Sequence, residues 1–345
     1  MMYRVGVIGA GPGVSALHLP TLAGLADRFR VVHIADSGSG RAAALAASSG
    51  ARASSDAAAV IADEDVDVVA ICTPPDTHAE LILAAVAAGK RAVFCEKPLA
   101  TTGEQADAVI AACAESGVLL VVGTNHLFDP SWSRVTHHLG LSGAPIRSVA
   151  VTLALAANDR YHRWVSDRAP AAPPRRAPLD LSDPDAAAGV VRQLIVGLAV
   201  HDLPLVRDLA PGLARIEHAR AVPPIGFDLG MRSGGIPVRF SAVMVPSGAD
   251  TLWRVRVVTD HERVDVDFPP PFVHAGSARV RVTDAVGRST VFPPELLDGY
   301  VAEWQALARL LDGEGAMEYS ELHADARYVV AVADAAAAAV RGARP

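Results

Sequence analysis

The sequence predicts an α/β protein of two domains. Residues 1–124 form a parallel sheet covered by helices on both faces, and residues 125–345 form an α/β domain built on a mainly antiparallel sheet. Three observations carry this reading. Up to residue 124, continuous apolar runs alternate with helical patterns, and strands that are apolar on both faces belong between two helix layers. Beyond Asn125, runs such as Val264-Asp265-Val266-Asp267 alternate apolar with polar, which gives one buried and one wet face. The length of 345 residues, with 51% hydrophobic and 20% charged, accommodates two cores.

Taken in order, residues 3–8 make a first strand that runs into Gly9-Ala10-Gly11-Pro12-Gly13, followed by a helical pattern over 14–26. A second strand over 29–35 closes on Asp36, and a helix over 41–49 stops at Gly50. Residues 66–72 are a third buried run. Thr77-His78-Ala79-Glu80 then has the spacing of a reciprocal N-terminal cap and opens a helix that stops at Gly89. The apolar run 92–95 ends a strand at Glu96-Lys97-Pro98. Thr102-Gly103-Glu104-Gln105 repeats the capping pattern, its helix ends near Gly117, and 118–122 is another strand. In the second domain, strands are predicted over 146–154, 214–222, 237–245, 252–259, 263–268 and 278–283. No helix intervenes across the last four, so they are expected to pair antiparallel. Residues 159–185, rich in Pro, Arg and Asp, read as an irregular loop. Helices over 297–311 and 320–341 close the chain, the second an Ala/Val stripe suited to packing.

The charge balance narrows the partners. Net charge is −7 and there is no basic block or aromatic-basic stripe, which argues against nucleic acid and against an anionic membrane surface. No uninterrupted apolar run reaches membrane-spanning length. Cys72, Cys95 and Cys113 lie far apart, a pattern of reduced thiols, and a cytoplasmic location is expected. His137-His138 has no third ligand at metal-like spacing, so no metal site is expected.

The glycines after the first strand point to chemistry. Gly9 and Gly11 let the chain turn tightly and let a pyrophosphate approach backbone N–H groups at a helix N-terminus. Gly13 comes early, Val14 occupies the third glycine position, and Pro12 removes one donor. Asp36, ending the second strand, is placed to accept hydrogen bonds from ribose hydroxyls. In register, these elements predict dinucleotide binding, with a nucleotide-free tight turn as the alternative. The Asp36 charge would repel a 2′-phosphate, which favours NAD over NADP. Lys97 stands at a strand's carboxyl end, where ligands of open α/β sheets collect, and a lysine there holds a tunable proton; a surface Lys-Pro turn is the plainer alternative.

Gly9-Ala10-Gly11, His18-Leu19-Pro20, Asp36, Cys72-Thr73-Pro74-Pro75 with His78, Cys95-Glu96-Lys97-Pro98-Leu99 and Asn125 together resemble the glucose–fructose oxidoreductase and inositol dehydrogenase family (Gfo/Idh/MocA). The likeness is close over the first ~130 residues and continues in outline beyond them. It implies a Rossmann domain followed by an α/β domain with a large open sheet that often forms the oligomer contact. It also implies NAD(P)-dependent oxidation or reduction of a sugar or cyclitol carbon. Carried onto this chain, it places cofactor contacts at Thr73, Pro74, His78, Glu96 and Lys97, with Lys97 touching the reacting hydroxyl.

The second catalytic element departs from that pattern. The family places an Asp one helical turn before a His, and another Asp often follows the His; here the histidine is His201, with Gly197 before it and Pro204 after it. Asp202 is adjacent to His201 and, on a helix, would point about 100° away, so it is not expected to replace the lost carboxylate. The expected consequences are a pocket opened beside Gly197, a helix disturbed at Pro204, and a lowered Lys97 pKa. His201 is read as a base for the hydroxyl proton, or as a packing histidine. Asn125 and His126 are candidates to border the substrate, and Arg192 and Gln193 to fill the space at Gly197. Phe128, Trp132, Tyr161, His162 and Trp164 are candidate sugar-stacking walls or ordinary packing.

The resulting expectation is an NAD-dependent oxidoreductase acting on a polyol, sugar or sugar-derived alcohol, with Lys97 and His201 in proton transfer and substrate orientation. Two alternatives stay open. One is an enzyme that uses transient oxidation for elimination, epimerisation or glycoside cleavage; the other is an NAD-binding sensor or scaffold. A sheet with an exposed broad face further predicts a homodimer or homotetramer.

Overall fold

The computed structural model describes residues 1–165, 180–245 and 248–342. The chain divides into two compact units: Met1–Thr124 with Tyr300–Arg327, and Asn125–Gly299 with Tyr328–Pro345.

The first unit begins with β1 (Tyr3–Ile8), a π turn over Val14–His18, α1 (Leu19–Gly24) and β2 (Phe29–Ala35). Then follow α2 (Arg41–Ser49), β3 (Arg52–Ser54), α3 (Ala57–Ala62), β4 (Val68–Ile71), α4 (His78–Ala87), β5 (Ala92–Glu96), α5 (Gly103–Ser116) and β6 (Leu119–Gly123). The six strands pair in the order β3-β2-β1-β4-β5-β6, all parallel. Every residue of β4 is buried, and so are Ala92–Cys95 of β5, which is why those runs carry no alternation. Helix ends follow their caps: Asp56 accepts from the Ala58 N–H, Thr102 from the Gln105 N–H, and α5 stops at left-handed Gly117.

The second unit contributes α6 (Pro130–Ser142), β7 (Ile146–Leu155), α7 (Asn158–Val165), α8 (Pro184–Gly197), α9 (Leu203–Leu209) and β8 (Ala214–Ala221). The strands β9 (Ile225–Ser233), β10 (Ile236–Met244), β11 (Leu252–Thr259), β12 (Glu262–Asp267), β13 (Arg279–Asp284) and β14 (Ser289–Phe292) follow. They form one eight-stranded sheet, β14-β13-β12-β11-β7-β10-β9-β8. All pairs are antiparallel except β7 with β10. Trp253, Val255 and Val257 of β11 join the core cluster with Val191 and Ile195 of α8 and Leu205 and Val206 of α9. Arg254 and Arg256 alternate onto the other face.

Three expectations are corrected. Residues 125–345 are not one domain: α10 (Gly299–Leu311) and the start of α11 (Tyr319–Gly342) pack with the first unit. Apolar burial draws them there, since Trp304 stacks on Phe94 with ring centroids 4.4 Å apart and planes at 10°. Strands β3, β9 and β14 were not expected. The loop expected over 159–185 is helical at its start, in α7, and at its end, in α8; residues 166–179 lie outside those described.

Candidate functional site

In the first unit, the site is assembled from the carboxyl ends of the parallel strands. Gly9 leaves β1 at φ +106°, with its N–H on the Ala35 carbonyl (2.8 Å). A Cβ there would stand 2.4 Å from the Cys72 carbonyl oxygen, so the crossing of β1 over the end of β4 admits only glycine. Gly11 has the opposite surroundings: a Cβ would meet nothing within 4 Å, which leaves the approach that a pyrophosphate needs. The Val14 and Ser15 N–H groups both turn back onto the Gly11 carbonyl (3.1 and 3.3 Å), and Gly13 is already helical, at φ −61°. Asp36 directly follows β2 and is half-buried, its N–H on the Ser54 carbonyl at 3.2 Å, and its carboxylate takes the Ser39 hydroxyl. A tight glycine turn, open space at Gly11 and an acid one strand over fit a dinucleotide.

The next strand end is braced by His78, whose ring is fully buried. Its Nε2 lies 2.9 Å from the Thr73 carbonyl and its Nδ1 2.8 Å from that of Pro98. Both nitrogens face backbone carbonyls, so the ring, which donates to one of them in its neutral form, fills the space between the two loops. Thr73 and Pro74 sit on the turn it holds, where the Thr73 and Thr77 hydroxyls are 2.7 Å apart and Thr77 donates to the Pro74 carbonyl at 2.9 Å.

Glu96 is engaged in a comparable way. One carboxylate oxygen lies 2.8 Å from His18 Nε2, and the other accepts the Lys97 N–H at 3.2 Å. His18 is buried and takes the Trp304 indole N–H on Nδ1 (3.3 Å). Burial works to raise the Glu96 pKa, but the His18 hydrogen bond and the Lys97 charge outweigh it and hold the carboxyl below its usual range. Lys97 follows directly and is half-buried. Burial lowers its amine pKa and the Glu96 charge opposes that only in part. The direction is the one expected, and burial is its largest cause. Trp304 escaped sequence reasoning because its ring is supplied from a remote helix that returns to this unit.

In the second unit, the chain around His201 is not one helix. α8 ends at Gly197, Leu198 leaves helical geometry (φ −122°, ψ −57°), and Ala199–His201 form a single 3-10 turn. Pro204 therefore disturbs nothing: it sits in the first turn of α9, where its missing N–H has no intrahelical partner to lose. Asp202 is fully buried and is the carboxylate of this cluster. It lies 2.9 Å from His126 Nδ1 and accepts the Trp253 indole N–H at 3.1 and 2.8 Å. His201, half-buried, stands 5.3 Å from His126 and 5.4 Å from Trp253 between ring centroids. Asp202 thus serves the neighbouring His126, 76 residues away in sequence, a separation that no local spacing reveals.

The softer substrate candidates separate. Asn125 is buried, and its side-chain oxygen has no hydrogen-bond partner among the described residues. Tyr161 is fully buried, with its hydroxyl 2.7 Å from Asp250 and 2.6 Å from Thr251, so it is core and not a sugar-stacking wall. Trp132 is likewise core. Arg192 pairs with Asp334 at 2.8 Å and Gln193 is exposed; neither fills the space at Gly197, where a Cβ would meet nothing within 4 Å. The Trp164 and His162 side chains lie outside those described. His138 is 2.8 Å from Glu262, and among the described residues no group of three or more His, Cys, Asp or Glu could hold a metal ion. Among them, too, no single helix is long and apolar enough to cross a membrane.

Comparison with known proteins matches residues 3–124 to the model of the Gfo/Idh/MocA oxidoreductase family with its NAD-binding Rossmann fold. Over 302 residues the chain is 32% identical to inositol 2-dehydrogenase 2 of Saccharopolyspora erythraea, covering 86% of this chain and 75% of that one. It is 38% identical over 135 residues to the inositol 2-dehydrogenase of Rhizobium meliloti, a match that spans only 40% of that relative. Among solved structures, it superposes on the UDP-N-acetylglucosamine 3-dehydrogenase of Acidithiobacillus ferrooxidans with a TM-score of 0.74 at 20% identity, covering 99% of this chain and 98% of that one. A 3-ketoreductase of Actinomadura kijaniata, solved in complex with NADP and TDP-benzene, gives 0.73 at 21% identity, with 96% of each chain covered. At that identity these two speak for the fold alone.

Proposed function

This chain belongs to the Gfo/Idh/MocA oxidoreductase family, and from that premise we propose that it is an NAD-dependent dehydrogenase or reductase acting on a ring carbon of a cyclitol, sugar or sugar-derived alcohol. The observation that carries this reading is Lys97, a half-buried amine at the carboxyl end of β5 whose pKa burial lowers, so that it can both hold and release a proton. When bound, the nicotinamide supplies the hydride acceptor or donor. The chain's own residues handle the proton. In the oxidative direction, the substrate hydroxyl gives its proton to the Lys97 amine as the carbonyl forms; in the reductive direction, the same ammonium returns it. For His201 the proposed role is in proton transfer and substrate orientation. Asp36 supports NAD over NADP, because its carboxylate opposes a 2′-phosphate. We further assign the protein a homo-oligomeric state, with the open face of the eight-stranded sheet as the contact.

The test is turnover of the purified protein with NAD and NADP against cyclitols, aldoses, glycosides and amino sugars, followed by nicotinamide absorbance. Turnover of a cyclitol or sugar with NAD is expected. Tight NAD binding with no turnover of any of them would leave a cofactor-sensing protein instead.

A further inference from the structure

His18 is the last residue of the π turn over Val14–His18 and is 1% exposed. A π turn carries one residue more than an α turn, and each helical residue turns the chain by about 100°, so the extra residue decides which way His18 points. Its ring meets Phe94 edge-on at 5.2 Å, and Trp304 stacks on the same Phe94. The Trp304 indole N–H reaches Nδ1 at 3.3 Å, and Nε2 stands 2.8 Å from Glu96. An ionised carboxylate only accepts, and Nδ1 already accepts, so the His18 hydrogen sits on Nε2 and is donated to Glu96.

Glu96 passes this anchoring forward along the chain. One carboxylate oxygen faces His18, and the other takes the backbone N–H of Lys97 at 3.2 Å. The side chain is thereby clamped onto the main chain from which the Lys97 amine extends, and its charge favours the ammonium that burial disfavours. Desolvation works to protonate Glu96, and the His18 hydrogen bond is the largest influence against it. Two thiols also lie by Glu96, Cys72 after β4 and Cys95 within β5; burial raises the pKa of both, so they add no charge at neutral pH.

We propose that His18 is a positioning residue for Lys97: it holds the Glu96 carboxylate ionised and in place, and Glu96 in turn decides how readily the Lys97 ammonium gives up its proton. The catalytic meaning of this rests on the oxidoreductase reading above. In oxidation, the substrate carbon loses a hydride to NAD, and its hydroxyl proton goes to the neutral Lys97 amine. Glu96 steadies the ammonium so formed, while His18 and Glu96 neither gain nor lose a proton. Reduction runs the same step backward.

The sequence contains two lysines, Lys90 and Lys97, which makes the amine directly observable. Carbon NMR of the full chain labelled at the lysine ε-carbon, without cofactor or substrate, gives one titration for each, assigned with Lys97→Met. Glu96→Gln is isosteric and removes the charge; His18→Leu removes the donor; His18→Gln returns an amide N–H in place of Nε2–H. The Lys97 midpoint should fall by about one pH unit in Glu96→Gln and in His18→Leu, the scale of a lost neighbouring charge, and recover in His18→Gln. The double variant Glu96→Gln/His18→Leu should titrate like Glu96→Gln alone, since His18 acts through the carboxylate. With NAD and myo-inositol as the probe substrate, the rise of kcat with pH should move down with the amine midpoint, because oxidation needs the neutral amine. A Lys97 midpoint unmoved in Glu96→Gln or in His18→Leu would overturn the proposal. So would a wild-type His18 ring protonated at Nδ1 alone by nitrogen NMR, a result that needs no variant to fold. If the wild type turns over neither myo-inositol nor any other polyol, the oxidoreductase reading falls, and the cofactor-free lysine titration alone decides whether His18 and Glu96 govern the amine.

Discussion

At the residue scale, the role proposed for Lys97 makes two demands: the amine must be buried enough to release its proton and held enough to stay in place. Burial lowers its pKa, and the Glu96 carboxylate beside it keeps part of the charged form. Because the folded pKa is depressed, the folded chain binds fewer protons here than the unfolded one. The resulting destabilisation is fully present below the folded pKa and disappears as pH rises through the ordinary lysine range. Lys97→Met should therefore lose about a hundredfold or more in turnover while its melting midpoint at neutral pH stays at or above that of the wild type. Full activity in that variant would remove Lys97 from the chemistry. Asp36 carries a second expectation: NAD(H) should bind more tightly than NADP(H) by calorimetric titration, and Asp36→Asn should narrow the gap. Equal or tighter NADP(H) binding by the wild type would refute that role. Lys97 and Asp36 are legible in sequence because each ends an apolar strand. Asp202 was not, because its partners His126 and Trp253 lie 76 and 51 residues away.

At the scale of elements, two strand ends are tied together by one ring. His78 joins the Thr73 carbonyl to the Pro98 carbonyl from a fully buried position. His78→Ala removes the ring from between the two carbonyls, with the hydrogen bond that it donates, and leaves a cavity. The expected cost is about 2–4 kcal/mol in denaturant unfolding, with NAD binding weakened alongside. A loss below about 0.5 kcal/mol would show that the loops hold without it. The break after α8 sets a different expectation for Gly197→Asp. Its Cβ meets nothing within 4 Å, so the variant should fold with stability within about 1 kcal/mol of wild type. Leu198 has left the helix, so the new carboxylate does not stack under His201 and kcat should not rise. A several-fold increase in kcat would contradict this geometry. Most strands were readable from burial alone. β9 was hidden because glycines occupy outward positions of an otherwise alternating run: a Cβ on Gly226 would stand 2.3 Å from the Ala242 carbonyl, and one on Gly230 2.3 Å from the His218 ring. β14 is exposed at all four residues and has no apolar signature to read.

For the molecule as a whole, local patterns indicate which segments are strands but not how distant ones pair. The parallel pairing of β7 with β10 and the return of α10 to the first unit are both long-range outcomes of burial. The outward face of the eight-stranded sheet follows from those pairings. One row runs Asp267, Arg254, Thr152, Ser241, Asp228, and the next runs Asp265, Arg256, Ala150, Arg239, Gly230. Arg254 pairs with Asp267 at 2.5 Å and Arg256 with Asp265 at 2.6 Å, while Arg220 and Arg239 approach Asp228 at 3.3 and 3.5 Å. The middle of the face is therefore low, set with small side chains, and flanked on both sides by paired charges. A two-fold rotation can lay such a face on its own copy, so self-association is the expected use of it. The protein should be a homodimer or homotetramer by light scattering at micromolar concentration. Arg239→Glu with Arg256→Glu reverses charge on both flanks and should raise the dissociation constant by at least about tenfold, because like charges then oppose across the contact. High salt should narrow that difference by screening the same repulsion. A wild-type monomer, or a double variant that assembles as tightly as wild type, would place the contact elsewhere.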